Sequence, residues 1–461
     1  MNFSGRAFSR TVSVGVPDVR GASHGAAQGQ EQAVLRSNRD HPFLLTMPTY
    51  GGTLAAARCL GQHGISVTMA GEDAFPPARF SRFVTRWEKC PPILKVDRFY
   101  EWLIEFGRRE PGYVLYPTCD DLAWLFAARA SELGKYFRLY QPSADTILQL
   151  LDKKTLYELC DTLGIPTVPT VFPADRREAL RLANQIGFPL LLKARTQILL
   201  KARTKGDFVS AYSDLAKAYD RFLEGNPFHP TLMKIVPGIQ RPLLQAFRSD
   251  AAQNIYSISG FVSQEGRMVA RASVKVLQRP RRLGIGLCFE EALVDPSALD
   301  GIKQLCQTTG YFGVFEAEFV REEGKFRLID FNPRFYGQMG FEVARDLPLG
   351  YLSWLGALGD RAAMNAALDA AGTWQEGQGY VYCNRFFFNL LVALQSFSGW
   401  MTPSESDRWK NWLEEATRND LAFDSVDSPN DRLPALVSAA NEIYWAVRHP
   451  RSFIRQHVIG P

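Results

Sequence analysis

Asp330, Asn332 and Arg334 stand at alternate positions in the run "RLIDFNPRFYGQ", from Arg327 to Gln338. In a strand, alternate side chains share a face, so the three polar groups are expected to project together while Ile329 and Phe331 enter a core. A few residues upstream, "VFEAEF" repeats the pattern, with Glu316 and Glu318 on one face and Phe315, Ala317 and Phe319 on the other. The two segments read as the arms of a hairpin turning through Glu322, Glu323 and Gly324, which would gather three carboxylates and an amide. Like charges this close repel, so the cluster needs a cation, and hard oxygen donors of this kind suit magnesium or manganese. The competing reading is a solvated polar face at the end of a strand.

Cations recur at matching points of the chain. Lys153 opens a helix and Lys193 closes an apolar strand, and each could donate to phosphate oxygens as a point charge. "LLLKART" at Leu190 is echoed eight residues later by "ILLKART" at Ile198, which predicts a hairpin or paired-strand loop carrying Lys193, Arg195, Lys201, Arg203 and Lys205. The position of Lys193 after "GFP" favours it over Lys201 as the phosphate ligand. "VKVLQRPRRLGIG" adds Lys275, Arg279, Arg281 and Arg282, read either as a solvated basic loop or as contacts to phosphate and an anionic substrate.

The elements that must position these groups fall into four stretches. Residues 1–40, rich in Ser, Gly, Ala and Arg, are expected to form a disordered leader. Residues 41–143 alternate strands and helices, as in "FLLTMPTYGGTLAAARCLGQHGISVTMAGED" and "YVLYPTCDDLAWLFAARASEL", which predicts a parallel α/β sheet with Asp120 or Asp121 capping a helix. Gly51 and Gly52 open a helix and Glu72 follows the next strand, a spacing that raises a dinucleotide site; the full GxGxxG is absent, and a tight turn is the simpler reading. Residues 144–350 hold two helices around a Pro-rich connector, then antiparallel strands. Residues 351–461 read as a helical appendage whose apolar stripes are expected to pack on the protein itself.

Composition narrows the classes. The chain has 461 residues, 46% hydrophobic and 22% charged, with a formal net charge of +5, which marks neither a disordered protein nor a nucleic-acid binder. Its longest apolar run falls short of the roughly 18–20 residues of a membrane helix, so neither nucleic acid nor membrane is expected as a partner. Seven scattered cysteines without a CxxC pair point to buried thiols in a reducing compartment, the cytoplasm.

Taken in order, "DKKTLYELCDTLGIPTVP", "GFPLLLKAR", "GYFGVFEAEF" and "LIDFNPRFYGQ" resemble the ATP-grasp ligases of the carboxylate–amine type, over roughly residues 43–350. The resemblance implies a pre-ATP-grasp α/β domain followed by two subdomains that clasp ATP. It assigns Lys153 and Lys193 to phosphate binding and Glu318, Asp330 and Asn332 to magnesium. It also assigns Arg334, with Lys275, to the transferring phosphoryl group or substrate carboxylate. The implied reaction joins a small-molecule carboxylate to an amine through an acyl phosphate, releasing ADP and phosphate.

Three features depart from the family pattern. Asp330 stands where Glu is usual, the loop after Lys193 has only Gly206, and Ala246 replaces the acid of the adenine hinge. Adenine is then expected to rely on backbone groups near Ala246 and Phe247. A nucleotide-binding sensor or scaffold without turnover is the alternative, and an NAD-dependent oxidoreductase using Gly51, Gly52 and Glu72 is a more distant one.

Overall fold

The structure, a computed structural model, describes residues 41–201, 206–247, 255–279, 285–322 and 324–455. The expected leader, Arg203, Lys205, Arg281, Arg282 and the hairpin residue Glu323 lie outside the described residues, as does the side chain of Arg279.

Three sheets organise the chain. The first is parallel, in the order β3-β2-β1-β4-β5, from β1 (Phe43–Leu45), β2 (Val67–Gly71), β3 (Val84–Lys89), β4 (Val114–Leu115) and β5 (Arg138–Leu139). β1 and β2 are buried throughout, as expected of strands covered by helices on both faces. The helix Gly51–Gln62 begins against the backbone after Asn332: a Cβ at Gly51 would lie 2.9 Å from Gly337 O, and one at Gly52 would overlap Tyr336 O. The two glycines therefore serve close approach of a loop, where a dinucleotide site would need the helix terminus open to pyrophosphate.

The second sheet, order β6-β9-β7-β8, is antiparallel and comprises β6 (Thr170–Val171), β7 (Leu190–Lys193), β8 (Asp207–Val209) and β9 (Leu243–Ala246). The echo of "LLLKART" does not form a second strand. Leu199 takes a left-handed φ of 50°, and Ile198, Leu199 and Leu200 are buried in a turn, while Lys201 is exposed. Arg195 is not carried outward on the loop either; its guanidinium folds back onto Asp152, the N-cap of the helix Lys153–Leu163.

The third sheet runs β14-β13-β10-β11-β12-β15-β16, from β10 (Ile255–Val262), β11 (Met268–Arg279), β12 (Ile285–Ala292), β13 (Gly313–Glu322), β14 (Lys325–Asn332), β15 (Val381–Cys383) and β16 (Ala422–Asp424). The stretch beyond residue 351 is thus mostly helical but also supplies the last two strands at one edge. It is tied to the first sheet through Asp431, which is buried and accepts from Arg58 Nε, Ser81 Oγ and Arg82 N, each at 2.8 Å. One apolar core runs continuously from the first sheet to the other two, joining Leu44, Phe126, Leu192, Tyr256 and Phe331. Among the described residues no helix is long and apolar enough to cross a membrane. All seven cysteines are buried and free.

Candidate functional site

β13 and β14 pair in antiparallel register with Glu318 opposite Asp330 and Glu316 opposite Asn332. The register slips between Glu318 and Phe319, so that Leu328 faces Phe319 and Ile329 becomes the extra residue of a bulge. This corrects the simple alternation: Leu328 and Phe331 enter the core, whereas Ile329 is only half-buried. The slip turns the Ile329 carbonyl outward, where it accepts from Lys153 Nζ at 3.3 Å and Tyr157 Oη at 3.2 Å.

Two acids of the hairpin, Asp330 and Glu318, meet bases. Lys153 Nζ lies 2.6 Å from Asp330 Oδ1, and Lys275 on β11 donates to Glu318. Burial alone would raise the Asp330 pKa; Lys153, Arg334 and Lys193 outweigh it and hold the carboxylate below its ordinary value. Burial would likewise lower the Lys275 pKa, but Glu318 and Glu316 raise it. Glu316 is 3% exposed and accepts from Asn332 Nδ2 at 3.0 Å, Ser257 Oγ at 3.3 Å and Gln338 Nε2. Burial, reinforced by the charge of Glu318, pushes its carboxyl up to about 7.

Arg334 closes the other side. Its Nη2 donates to Asn332 Oδ1 at 2.8 Å, its Nη1 to Phe335 O at 3.0 Å, and its Nε to Asp120 Oδ1 at 2.5 Å. A guanidinium only donates, so Arg334 orients the Asn332 amide with Oδ1 towards itself, which leaves Nδ2 to donate to Glu316. Asp120 does not cap its helix, and neither does Asp121. The N-cap is Cys119 without a side-chain cap, and Asp121 accepts from Leu199 N at 2.6 Å. Burial, with Asp120 adding to it against the Leu199 hydrogen bond, lifts Asp121 to about 6.

The second sheet faces this hairpin through β7 and β9. Lys193 Nζ donates to Gln245 Oε1 at 3.0 Å, and Gln245 Nε2 donates to Tyr157 Oη and Thr170 Oγ1, both at 3.1 Å. A chain of hydrogen bonds therefore links Lys193 through Gln245 and Tyr157 to the bulged carbonyl of Ile329, beside Lys153 and Asp330. Ala246 and Phe247 end β9 next to this chain. Their amides already donate, to Pro169 O at 2.9 Å and Pro189 O at 3.2 Å, and the Phe247 ring meets Phe208 edge-on at 5.0 Å. Only the carbonyl side of this short segment is then left to meet an adenine edge.

All nine candidate residues fall in this one region: the network above joins Lys153, Lys193, Lys275, Glu318, Asp330, Asn332 and Arg334, with Ala246 and Phe247 alongside. Sequence reasoning left Asp120, Gln245 and Tyr157 out of the set, and it noticed Glu316 without giving it a role. For Asp120 no local signal existed, because its partner is 214 positions away. Gln245 stood in the hinge motif and could have been found from its strand alternation with Leu244.

As a metal site, Glu318, Asp330 and Asn332 fit by donor chemistry, two carboxylates and an amide oxygen brought side by side by the β13–β14 register. One oxygen of each, however, is engaged, by Lys275, Lys153 and Arg334 respectively. Among the described residues no group of three His, Cys, Asp or Glu side chains surrounds a common point.

The comparisons with known proteins agree with this architecture. No family model matches the chain. Among curated proteins it is 24% identical over 242 residues to a biotin carboxylase of Pseudomonas aeruginosa, covering 49% of this chain and 47% of that protein. It is 26% identical over 211 residues to the chloroplastic biotin carboxylase of Arabidopsis thaliana, covering 42% and 35%. To the arginine-specific carbamoyl phosphate synthase large chain of Halalkalibacterium halodurans it is 24% identical over 210 residues, covering 44% and 18%. The chain spans about half the length of the first of these relatives, or less of the others.

Among solved structures, the biotin carboxylase domain of Hydrogenobacter thermophilus 2-oxoglutarate carboxylase, determined with MgADP, ADP and bicarbonate, superposes with a TM-score of 0.53 at 17% identity. That match covers 74% of this chain and 71% of that one. N5-carboxyaminoimidazole synthetase of Staphylococcus aureus superposes with a TM-score of 0.50 at 13% identity, covering 69% and 79%. The chain has the ATP-grasp fold.

Proposed function

We propose that the chain is an ATP-dependent carboxylate–amine ligase that activates a small-molecule carboxylate as its acyl phosphate, then passes the acyl group to an amine, releasing ADP and phosphate. The observation that carries this reading is the convergence of Lys193 on β7, Lys153 at a helix start and Lys275 on β11 upon the paired acids Glu318 and Asp330, with Arg334 beside them. Phosphoryl transfer needs positioning and charge neutralisation rather than a protein nucleophile, and this site offers cations and hydrogen-bond donors.

Lys153, Lys193 and Lys275 bind phosphate oxygens as point charges, and the planar fork of Arg334 orients the transferring group. Glu318, Asp330 and Asn332 would hold magnesium or manganese, which when bound neutralises phosphate charge. The carbonyls at Ala246 and Phe247 would receive adenine. Bicarbonate belongs among the candidate acids, since the structurally similar carboxylase domain was determined with it. Seven buried free cysteines support a reducing, cytoplasmic setting.

The test is trapping. With the true acid, hydroxylamine should yield a hydroxamate only when ATP and magnesium are both present, and ADP should accumulate. Stoichiometric AMP and pyrophosphate would instead place attack at the α-phosphate and overturn the reading.

A second reading, a nucleotide-binding sensor without turnover, is favoured by one observation: each candidate metal ligand already has one oxygen paired with a lysine or arginine. Tight ATP binding with no ADP release across a panel of acids and amines would support it.

A further inference from the structure

The helix Leu433–Arg448 has two unlike faces. Its inner face lies on the 3-10 turn Pro77–Phe80 of the first sheet's surroundings: Pro434 is buried and Asn441 Nδ2 donates to Phe75 O at 2.9 Å. Contrary to the expectation that its apolar stripe packs on the protein, the opposite face is open. Leu433 is 50% exposed, Leu436 66%, Ile443 55% and Val447 78%, and Ala440 between them is exposed too. These five positions are spaced 3, 4, 3 and 4 apart, the seam of a helix pair rather than a scatter of surface apolar groups.

We propose that this outer face joins two copies of the chain as an antiparallel helix pair about a two-fold axis at the level of Asn441 and Glu442. The proposal stands independently of the ligase reading.

The volumes along the seam argue for a second copy in that orientation. Antiparallel pairing sets Ala440 against Ile443 and Leu436 against Val447, so small meets large and the layers are evenly filled. Parallel pairing would set Ala440 against its own copy and leave a void between layers of Leu and Ile. Ala439 and Ala446 line one flank and let the backbones close, while Tyr444, 67% exposed, covers the other. Such a contact is isologous, the same patch serving both copies. Charge argues against the membrane as occupant, because from Arg432 to Arg448 the acid Glu442 is the one charge between an arginine at each end, whereas helices that lie on anionic lipid carry Lys and Arg along their polar face. One helix pair buries less than the roughly 1,600 Å² of a standard interface, so the dimer should dissociate on dilution.

The experiment is sedimentation velocity of the full chain over a concentration series. A reversible dimer is expected, lost in Ile443→Glu with Val447→Glu and in Ala440→Arg, with the melting temperature unchanged because these side chains already face outward. Mild oxidation should cross-link the Ala440→Cys, Ile443→Cys double variant but not Leu436→Cys alone. A chain that stays monomeric throughout the series, a dimer that survives both surface variants, or a dimer cross-linked through Leu436→Cys alone would overturn the proposal. So would a monomer that binds phosphatidylserine vesicles through this same face.

Discussion

The β13–β14 hairpin and the β7–β9 pair face each other across the candidate site, and they handle charge in opposite ways. At the hairpin three ion pairs stand together, Asp330 with Lys153, Glu318 with Lys275, and Arg334 with Asp120, while Glu316 is held by neutral groups. On the β7–β9 side, Lys193 donates to a neutral amide, Gln245, which is itself pinned by Tyr157 and Thr170. A matched pair holds a side chain in place at contact distance; an amide holds a lysine by geometry, while the charge of Lys193 acts across the site on Asp330. Under the proposed function the hairpin acids take the metal ion in place of their lysines, and Lys193 takes a phosphate oxygen.

The comparison breaks most sharply if the hairpin acids are removed. Asp330→Asn with Asn332→Ala should lower magnesium-dependent ATP turnover at least ~100-fold while the far-UV spectrum stays native, the loss expected when charge stabilisation at a phosphoryl group is deleted. Undiminished turnover in the purified double variant would remove the hairpin from the metal site. Lys193→Ala should weaken nucleotide binding by about tenfold, near 1.4 kcal/mol, in titration calorimetry, whereas Lys201→Ala, on an exposed side chain, should leave it unchanged. The reverse ranking would exchange the roles of the two echoed segments.

Glu316→Ala sharpens the contrast within the hairpin. It frees the Asn332 amide to rotate, so manganese affinity measured by paramagnetic titration should fall by about tenfold with little change in nucleotide affinity, as for other residues that orient a metal ligand. Equal losses of both affinities would mean that Glu316 supports the fold rather than the amide.

The smallest effect concerns Asp121. Its folded pKa of about 6 lies above the ordinary carboxyl value, so the contribution of its carboxyl to stability is full below about pH 4 and is lost as pH rises through 6. Asp121→Asn, which keeps the acceptor for Leu199 N, should stabilise the protein by about 3 kcal/mol above pH 7 and by progressively less towards pH 4, measured by urea unfolding. A pH-independent difference would show that the carboxyl titrates normally.

Much of the site could be read from local pattern. Alternation placed Glu316, Glu318, Asp330 and Asn332 on one face because a strand's period is fixed by its own backbone. The bulge at Ile329 could not be read, since a slip belongs to the pairing of two strands and leaves no mark in either alone. Asp120 was misread for a related reason. An acid at a helix start is usually a cap, and only the tertiary fold reveals that its oxygen goes to Arg334. The two strands of the C-terminal stretch, three residues each, are too short to show a period, and they form because the edge of β12 accepts β15, which in turn accepts β16. The outward face of the helix Leu433–Arg448 was legible as apolar but not as exposed, because amphipathic pattern tells which side is greasy and not what lies against it.

Asp431 gives the chain a particular order of completion. It closes a contact with Arg58 across 373 residues, and the strands just before it finish the edge of the third sheet. During synthesis the first sheet emerges early, yet its surface at Arg58, Ser81 and Arg82 waits for nearly the whole remainder of the chain, and contacts of such long span are the slow ones to form. Translation halted near residue 350 would release a chain holding every candidate site residue but neither the strands that cover β12 nor the acid that fastens them. Its exposed strand edge would be open to pairing with other chains before any nucleotide could be bound.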